Sequence, residues 1–207
     1  MGRTPLMFAT FYDRADIVSY LLEKNANISI ADKFGYNAIH YAISGKASKN
    51  TLAVLLKHNS TSELLNCRSI GTLQSPLHIA ANTSYVEGAS MLLNTGNVDL
   101  ALRDVGGDFA LHGAVKQSSL ELVKLLVSEK TANKDVFRRE DGVGLTVVDC
   151  AILKCEQYIL GRMQPGETEV HKRRVQIKDY LIQILGFERK FASTEDIRNV
   201  TEVVKPI

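Results

Sequence analysis

Three histidines, His40, His78 and His112, each stand two residues before an alanine, and together they pose the question of a metal centre. Zinc takes imidazole nitrogens at about 2.0–2.1 Å. Each of these histidines falls on a different short helix, however, and packed helices lie about 8–10 Å apart. The three rings are therefore expected not to meet, and His40, His78 and His112 are read as structural residues that tie neighbouring loops by hydrogen bonds. Cys150 and Cys155 lie five apart on a predicted helix, so they point in different directions and read as buried or half-buried thiols. Gly106-Gly107 and Gly142-Val143-Gly144 offer loops to a phosphate, but no Gly-Lys-Ser/Thr follows them and no strand–loop–helix unit surrounds them. They read as turn glycines. The chain shows no Ser/His/Asp or Cys/His set in the context of a known nucleophile motif. A stack of helix pairs is expected to offer no deep pocket that would shift a pKa. The expectation is a protein that is not an enzyme, with no metal, no cofactor and no small-molecule substrate.

Composition narrows the partners. With 25 Lys and Arg against 23 Asp and Glu, the formal charge of +2 gives no bulk field for nucleic acid or an anionic membrane. His171-Lys172-Arg173-Arg174 is a short basic run, read as a solvated helix face rather than an import signal or an acidic-partner contact. Direct nucleic-acid binding through Arg138, Arg139, Lys172, Arg173 and Arg174 is the weaker rival, and it predicts an affinity that falls steeply with salt. No apolar run nears the roughly 20 residues of a membrane span. The opening residues do not read as a signal peptide, and Leu6 stands where a myristoylation motif needs Ser or Thr. Three cysteines without paired spacing suit a reducing compartment, so a cytoplasmic or nuclear location is expected.

The elements behind these residues repeat. Ser75-Pro76-Leu77-His78-Ile79-Ala80 reads as a helix start: the hydroxyl accepts from a first-turn N–H, and Pro suits the first helical position. The pattern recurs at Thr4, Asn37, Phe109 and Thr146, in steps of 33, 38, 34 and 37 residues from Thr4 through Thr146. A period of this size means stacked supersecondary units. With 45% hydrophobic residues such a stack can carry a continuous core.

Five units are read, approximately 2–31, 32–68, 69–103, 104–140 and 141–187, as one domain over 1–187 with a tail at 188–207. Second helices carry Ile17, Val18, Leu21 and Leu22, then Leu52, Leu55 and Leu56, then Met91, Leu92 and Leu93, then Leu122, Val123, Leu126 and Val127. Asp32, Asp104 and Asp141, each with a glycine within the next three residues, mark turns ahead of helix caps. Residues 59–74 read as an irregular link. Phe109 replaces the capping hydroxyl, which predicts a helix start weaker by about 0.5–2 kcal/mol. The fifth unit starts a helix at Thr146 that runs toward Ile159, breaks at 161–166 around Pro165, and resumes with a stripe of Ile177, Tyr180, Leu181, Ile184 and Leu185. Its charged opposite face suits a terminal capping pair. A short helix is predicted after Ser193-Thr194. Little precedes Thr4 to cover the open end, which predicts a longer array or a partner there.

On these residues the chain resembles the ankyrin-repeat family: Asp-x-x-Gly-x-Thr at 32–37 and 104–109, Thr-Pro-Leu-His-x-Ala at 75–80, and the Leu-Leu runs. The resemblance covers about 2–187. It departs at Met7 and Asp149 in the His position, at Phe109 in the Thr position, and in the insert near Gly161. It implies an all-α solenoid of helix pairs joined by β-turn fingers, and protein binding through the finger tips and the concave face of the first helices. The variable positions are Arg3, Lys33, Phe34, Tyr36, Val105, Asp108, Val143 and Leu145 in the turns, and Phe11, Tyr12, Ser44, Asn82, Thr83, Lys116 and Gln117 on the helices. Aromatics with Arg are typical interface anchors, so Phe11, Tyr12, Phe34 and Tyr36 form the expected hot spot. The bland alternative has some of them covering the open end. The function expected is a non-catalytic scaffold, masking a partner or serving as an adaptor. The alternative is a regulatory or docking part of a larger enzyme, ubiquitin-ligase adaptor or channel.

Overall fold

The computed structural model describes residues 2–58, 61–128, 137, 139–142, 144–159 and 168–185, with the side chains of 61, 154–159 and 168 excepted. Among them the chain is all-α, and it forms two compact units, Met1–Val105 and Gly106–Ile207. No described helix is long and apolar enough to cross a membrane. Val143, Arg138, the Cys155 side chain, the break at 161–166 and the tail at 188–207 with its predicted helix lie outside the described residues.

In the first unit three helix pairs stack: α1 (Pro5–Phe11) with α2 (Ala15–Glu23), α3 (Ala38–Ser44) with α4 (Lys49–Leu56), and, after the short α5 (Thr61–Leu64), α6 (Pro76–Asn82) with α7 (Val86–Leu93). The first helices pack α1 on α3 on α6, and the second helices α2 on α4 on α7. Each first helix starts where the sequence places its cap. Thr4 Oγ1 accepts from Met7 N–H at 3.3 Å, Asn37 Oδ1 from His40 N–H at 3.1 Å, and Ser75 Oγ from His78 N–H at 3.5 Å. The third helical residue returns the favour to the cap's own N–H: Met7 Sδ at 3.4 Å, His40 Nδ1 at 3.3 Å and His78 Nδ1 at 3.3 Å. Two orphan donors are thus satisfied at once. The alanine five residues past each cap (Ala9, Ala42, Ala80) is buried and lets neighbouring first helices approach closely.

Between the helices of a pair the chain reverses through one left-handed residue, Asp13, Lys46 or Ser84. The next residue in each case closes the turn tightly behind it: Arg14 N–H reaches Ala9 O, Ala47 N–H reaches Ala42 O, and Tyr85 N–H reaches Ala80 O, all at 2.9 Å. Asp13 then accepts from Ser48 N–H and Oγ, both at 2.8 Å, and from Thr51 Oγ1 at 2.5 Å, so it anchors the start of α4.

The fingers are built by Asp or its substitute. Asp32 N–H donates to Tyr36 O at 3.0 Å, and Asp32 Oδ1 accepts from Phe34 and Tyr36 N–H at 2.8 and 3.0 Å. Gly35 sits at φ +79, where its Cβ-free backbone also clears Ile70 N. The link read as irregular contains a finger of the same kind. Ser69 N–H donates to Gln74 O at 3.0 Å and its Oγ accepts from Gln74 N–H at 3.1 Å, with one residue more than usual and Leu73 at φ 53. Ile70 N–H bonds Phe34 O at 2.7 Å and Val105 N–H bonds Thr72 O at 2.9 Å, so each finger holds the next by one main-chain bond.

The second unit pairs α8 (Ala110–Lys116) with α9 (Leu120–Leu126), and the longer α10 (Val147–Ile159) with α11 (Thr168–Leu185); α10 packs on α8 and α11 on α9. Phe109 makes no side-chain cap, as its chemistry requires, yet it is not a surface defect: it is buried and stacked on His112 at 5.5 Å. Asp149, in the His position, accepts from Thr146 N–H at 2.9 Å and Thr146 Oγ1 at 2.7 Å, while Asp149 N–H donates to Thr146 Oγ1 at 3.2 Å. Leu145 corrects the reading that placed it among surface positions. It is buried, and its N–H and C=O close the Asp141 finger. Along α11, Ile177, Leu181 and Leu185 are buried, while Lys172 and Arg173 are exposed.

Candidate partner-binding cleft

The expectation from sequence is that no deep pocket would shift a pKa; the first unit carries an open cleft of about 370 Å³. Its walls follow the repeat register. The residue before each cap supplies Arg3, Tyr36 and Gln74. The residue four past each cap supplies Phe8, Tyr41 and Ile79, and the residue seven past supplies Phe11 and Ser44. Tyr12, Phe34, Asp32 and His40 complete it. Arg3, Phe11, Tyr12, Phe34 and Tyr36, singled out from sequence, are thus brought to one place.

The rings hold one another. Phe11 meets Tyr12 edge-on at 5.1 Å and Tyr41 at 6.2 Å, and Tyr36 meets His40 at 5.3 Å and Tyr41 at 6.3 Å. Such edge-to-face pairs fix ring positions beyond what area burial gives. Arg3 lies over the Tyr41 ring at 5.4 Å. Apolar surface is nonetheless left to solvent: Tyr12 is 63% exposed, Phe34 53%, Phe8 46% and Phe11 37%. Tyr36 is half-buried.

Asp32 organises the polar side. Tyr41 OH donates to its Oδ2 at 2.7 Å. Burial pushes the Asp32 carboxyl up, but the Tyr41 hydroxyl, the Tyr36 and Phe34 amides and Arg3 outweigh it and hold the pKa low. The Tyr41 hydroxyl is pushed up by burial and by its bond to the Asp32 carboxylate. His40 is fully buried, with Nδ1 accepting from Asn37 N–H and Nε2 donating to Gln74 O at 3.3 Å. Burial lowers its pKa to about 4, so the ring is neutral.

The other sequence-derived positions sit elsewhere. Lys33 is exposed beside Phe34, and Val105 is 68% exposed at its finger tip. Asn82 and Thr83 end α6 half-buried, Thr83 Oγ1 turning back to Ile79 O at 2.8 Å. In the second unit Lys116 pairs with Asp108, and Gln117 is exposed. Of the basic run, Lys172 pairs with Glu169 at 2.8 Å and Arg174 Nε donates to Ser118 Oγ at 3.2 Å. Sequence reasoning missed Phe8, Tyr41, Gln74 and Ile79, although counting four residues on from each cap would have found three of them. It also missed Ile70, 69% exposed at a finger tip.

His112, Asp141 and Cys150 place three ligand-type atoms within 4.8 Å of one another, all buried. The fold already uses them. His112 Nδ1 accepts from Phe109 N–H at 3.2 Å and Nε2 faces Leu145 O at 3.4 Å. Asp141 Oδ1 accepts from Leu145 N–H at 2.9 Å. Burial drives the Cys150 thiol up to about 12, away from the thiolate that nucleophilic or metal chemistry needs.

Comparison with known proteins agrees with this architecture. The family described as Ankyrin repeats (3 copies) matches residues 1–66 and 48–138. The chain is 33% identical over 131 residues to ankyrin repeat domain-containing protein 37 of Bos taurus, covering 59% of this chain and 75% of that protein. It is 29% identical over 133 residues to the nuclear factor NF-kappa-B p105 subunit of Gallus gallus (64% of this chain). It is 30% identical over 145 residues to neurogenic locus notch homolog protein 1 of Xenopus laevis (70% of this chain). The chain spans only 13% of the p105 subunit's length and 6% of the notch protein's. With the family matched across more than half of its residues, the repeat register intact and the helices all-α, this chain belongs to the ankyrin-repeat family.

Proposed function

We propose that the chain is a non-catalytic module that binds another protein through the aromatic cleft of its first unit, in a masking or adaptor role. Repeats of this family serve as protein-interaction modules. One observation carries the choice of surface: aromatic rings from two successive repeats, with Arg3, surround a single cleft while leaving much of their apolar area exposed. Rigid, half-exposed aromatics bind with little loss of conformational entropy, and a few of them dominate an interface. The rings are already fixed by one another, so the surface is preformed.

The test is comparative capture from cell lysate with the wild-type chain, Phe34→Ala and Phe11→Ala, read by quantitative mass spectrometry. The reading expects a set of proteins depleted at least tenfold on both variants, with the Phe34→Ala bait melting close to wild type. Equal capture by all three baits removes the cleft from the function.

A second reading keeps the surface and changes the setting. The short share of the p105 and notch relatives that is matched favours a docking or regulatory segment of a larger protein. An antibody raised against this chain decides between them by the size of the polypeptide it detects. A cytoplasmic or nuclear location goes with either reading, supported by the few cysteines and their spacing.

A further inference from the structure

The charges around the cleft are unequal in their availability. Its one lining carboxylate, Asp32, is 6% exposed and spends both oxygens on the fold, on Phe34 and Tyr36 N–H and on the Tyr41 hydroxyl. Its one lining guanidinium, Arg3, is exposed at the cleft's edge, spread over the Tyr41 ring, where it also bonds the Tyr41 hydroxyl and lowers the Asp32 pKa while its outer face stays open. Lys33 is exposed beside Phe34 on the adjoining finger. A guest cation would meet Arg3 first and would find the Asp32 oxygens already occupied. A guest carboxylate would meet a fork of donors suited to bidentate pairing. Behind that fork lie the exposed faces of Phe11, Phe34 and Phe8, which need an apolar partner.

From this complementarity we infer that the occupant of the cleft is an extended peptide segment with a bulky apolar side chain beside an Asp or Glu. The apolar group seats against Phe11 and Phe34, and the carboxylate pairs with Arg3. The inference rests on the cleft being the binding surface, as proposed above, and adds the chemistry of what fills it. A volume of about 370 Å³ lies at the small end of ligand pockets, which suits side chains from a segment rather than a folded domain's whole face.

The test uses the full chain as bait for a displayed library of random twelve-residue peptides, beside Phe34→Ala, Arg3→Lys and Arg3→Gln baits. Wild type should enrich Leu, Met or Phe within two positions of Asp or Glu. Synthetic versions of the enriched peptides should lose at least tenfold in affinity to Phe34→Ala by fluorescence anisotropy. Arg3→Gln should abolish the acidic preference and Arg3→Lys should keep part of it, with thermal melts showing that each bait is folded. Peptides that need Phe34 but show no acidic preference, or that enrich Lys and Arg, overturn the inference and leave the cleft reading standing. Binders indifferent to Phe34, or no binders, overturn both. Self-association of the wild-type chain that disappears in Phe34→Ala makes the occupant a second copy, and also overturns the inference.

Discussion

The Tyr41 hydroxyl donates to Asp32 Oδ2 at 2.7 Å, tying a first helix to the finger that precedes it. Tyr41→Phe keeps the ring under Arg3 and removes only this bond. A hydrogen bond to a charged group is worth about 1.5–3 kcal/mol, so the unfolding free energy should fall by that amount, seen as a lower urea midpoint with an unchanged slope. The same change raises the Asp32 pKa toward its ordinary value. A carboxylate held low stabilises the fold above its unfolded pKa and loses that contribution as pH falls through the lowered value. The variant should therefore gain back ground on wild type only in strong acid, below the ordinary carboxylate value of 3.8. A midpoint unmoved at neutral pH contradicts the assignment.

His40 should make stability depend on pH in a higher window. Its pKa falls from 6.5 unfolded to about 4 folded, because burial penalises the imidazolium. Between these values the unfolded chain takes up a proton that the folded chain refuses. Stability is therefore complete above the upper value and declines as pH falls toward the lower, by about 3 kcal/mol. His112, also held low chiefly by burial, acts in the same direction. Urea midpoints at pH 7, 5.5 and 4 should fall in that order, and less steeply for His40→Gln. Parallel lines for the two proteins would remove His40 from the account.

Phe34 and Tyr36 look alike in sequence and should behave differently. Phe34 is 53% exposed and its alanine variant should melt within about 0.5 kcal/mol of wild type. Tyr36 is half-buried and packs on His40 and Tyr41. Its loss should cost about 1–3 kcal/mol from two ring pairs and the area they cover. Both variants should weaken partner binding, so the two substitutions separate surface loss from framework loss.

Restoring the family's cap at Phe109 should do harm. Phe109→Thr gains about 1 kcal/mol of capping but removes a fully buried ring, a truncation that typically costs about 3–5 kcal/mol. A thermal melt should show net destabilisation of about 2 kcal/mol or more. Stabilisation would mean the ring's stacking on His112 contributes little.

Much of this was legible from the chain alone. Caps at Thr4, Asn37, Ser75 and Thr146 are local chemistry repeated at a period, and local chemistry survives translation into sequence patterns. Asp149 and Met7 show the limit: they fill the His position with a different acceptor, so a motif of residue types breaks while the geometry persists. The Ser69 finger was missed for the same reason, a hydroxyl standing for a carboxylate with one extra residue. Tyr41 and Phe8 escaped notice because an apolar residue on a short helix, taken alone, faces either core or groove, and only its place four past the cap in each repeat marks it for the cleft. Leu145 is the reverse case: it stands at a turn position of the repeat, yet it is buried and closes the Asp141 finger.

Phe34 O to Ile70 N, and Thr72 O to Val105 N, are bonds between peptide groups, indifferent to which side chains hang from them. Evolution can therefore redraw the tips of these loops without disturbing what spaces them. A lineage carrying this chain is free to trade one client for another by a few surface changes, and an engineer can do the same by randomising positions 34, 70 and 105 while leaving the scaffold untouched.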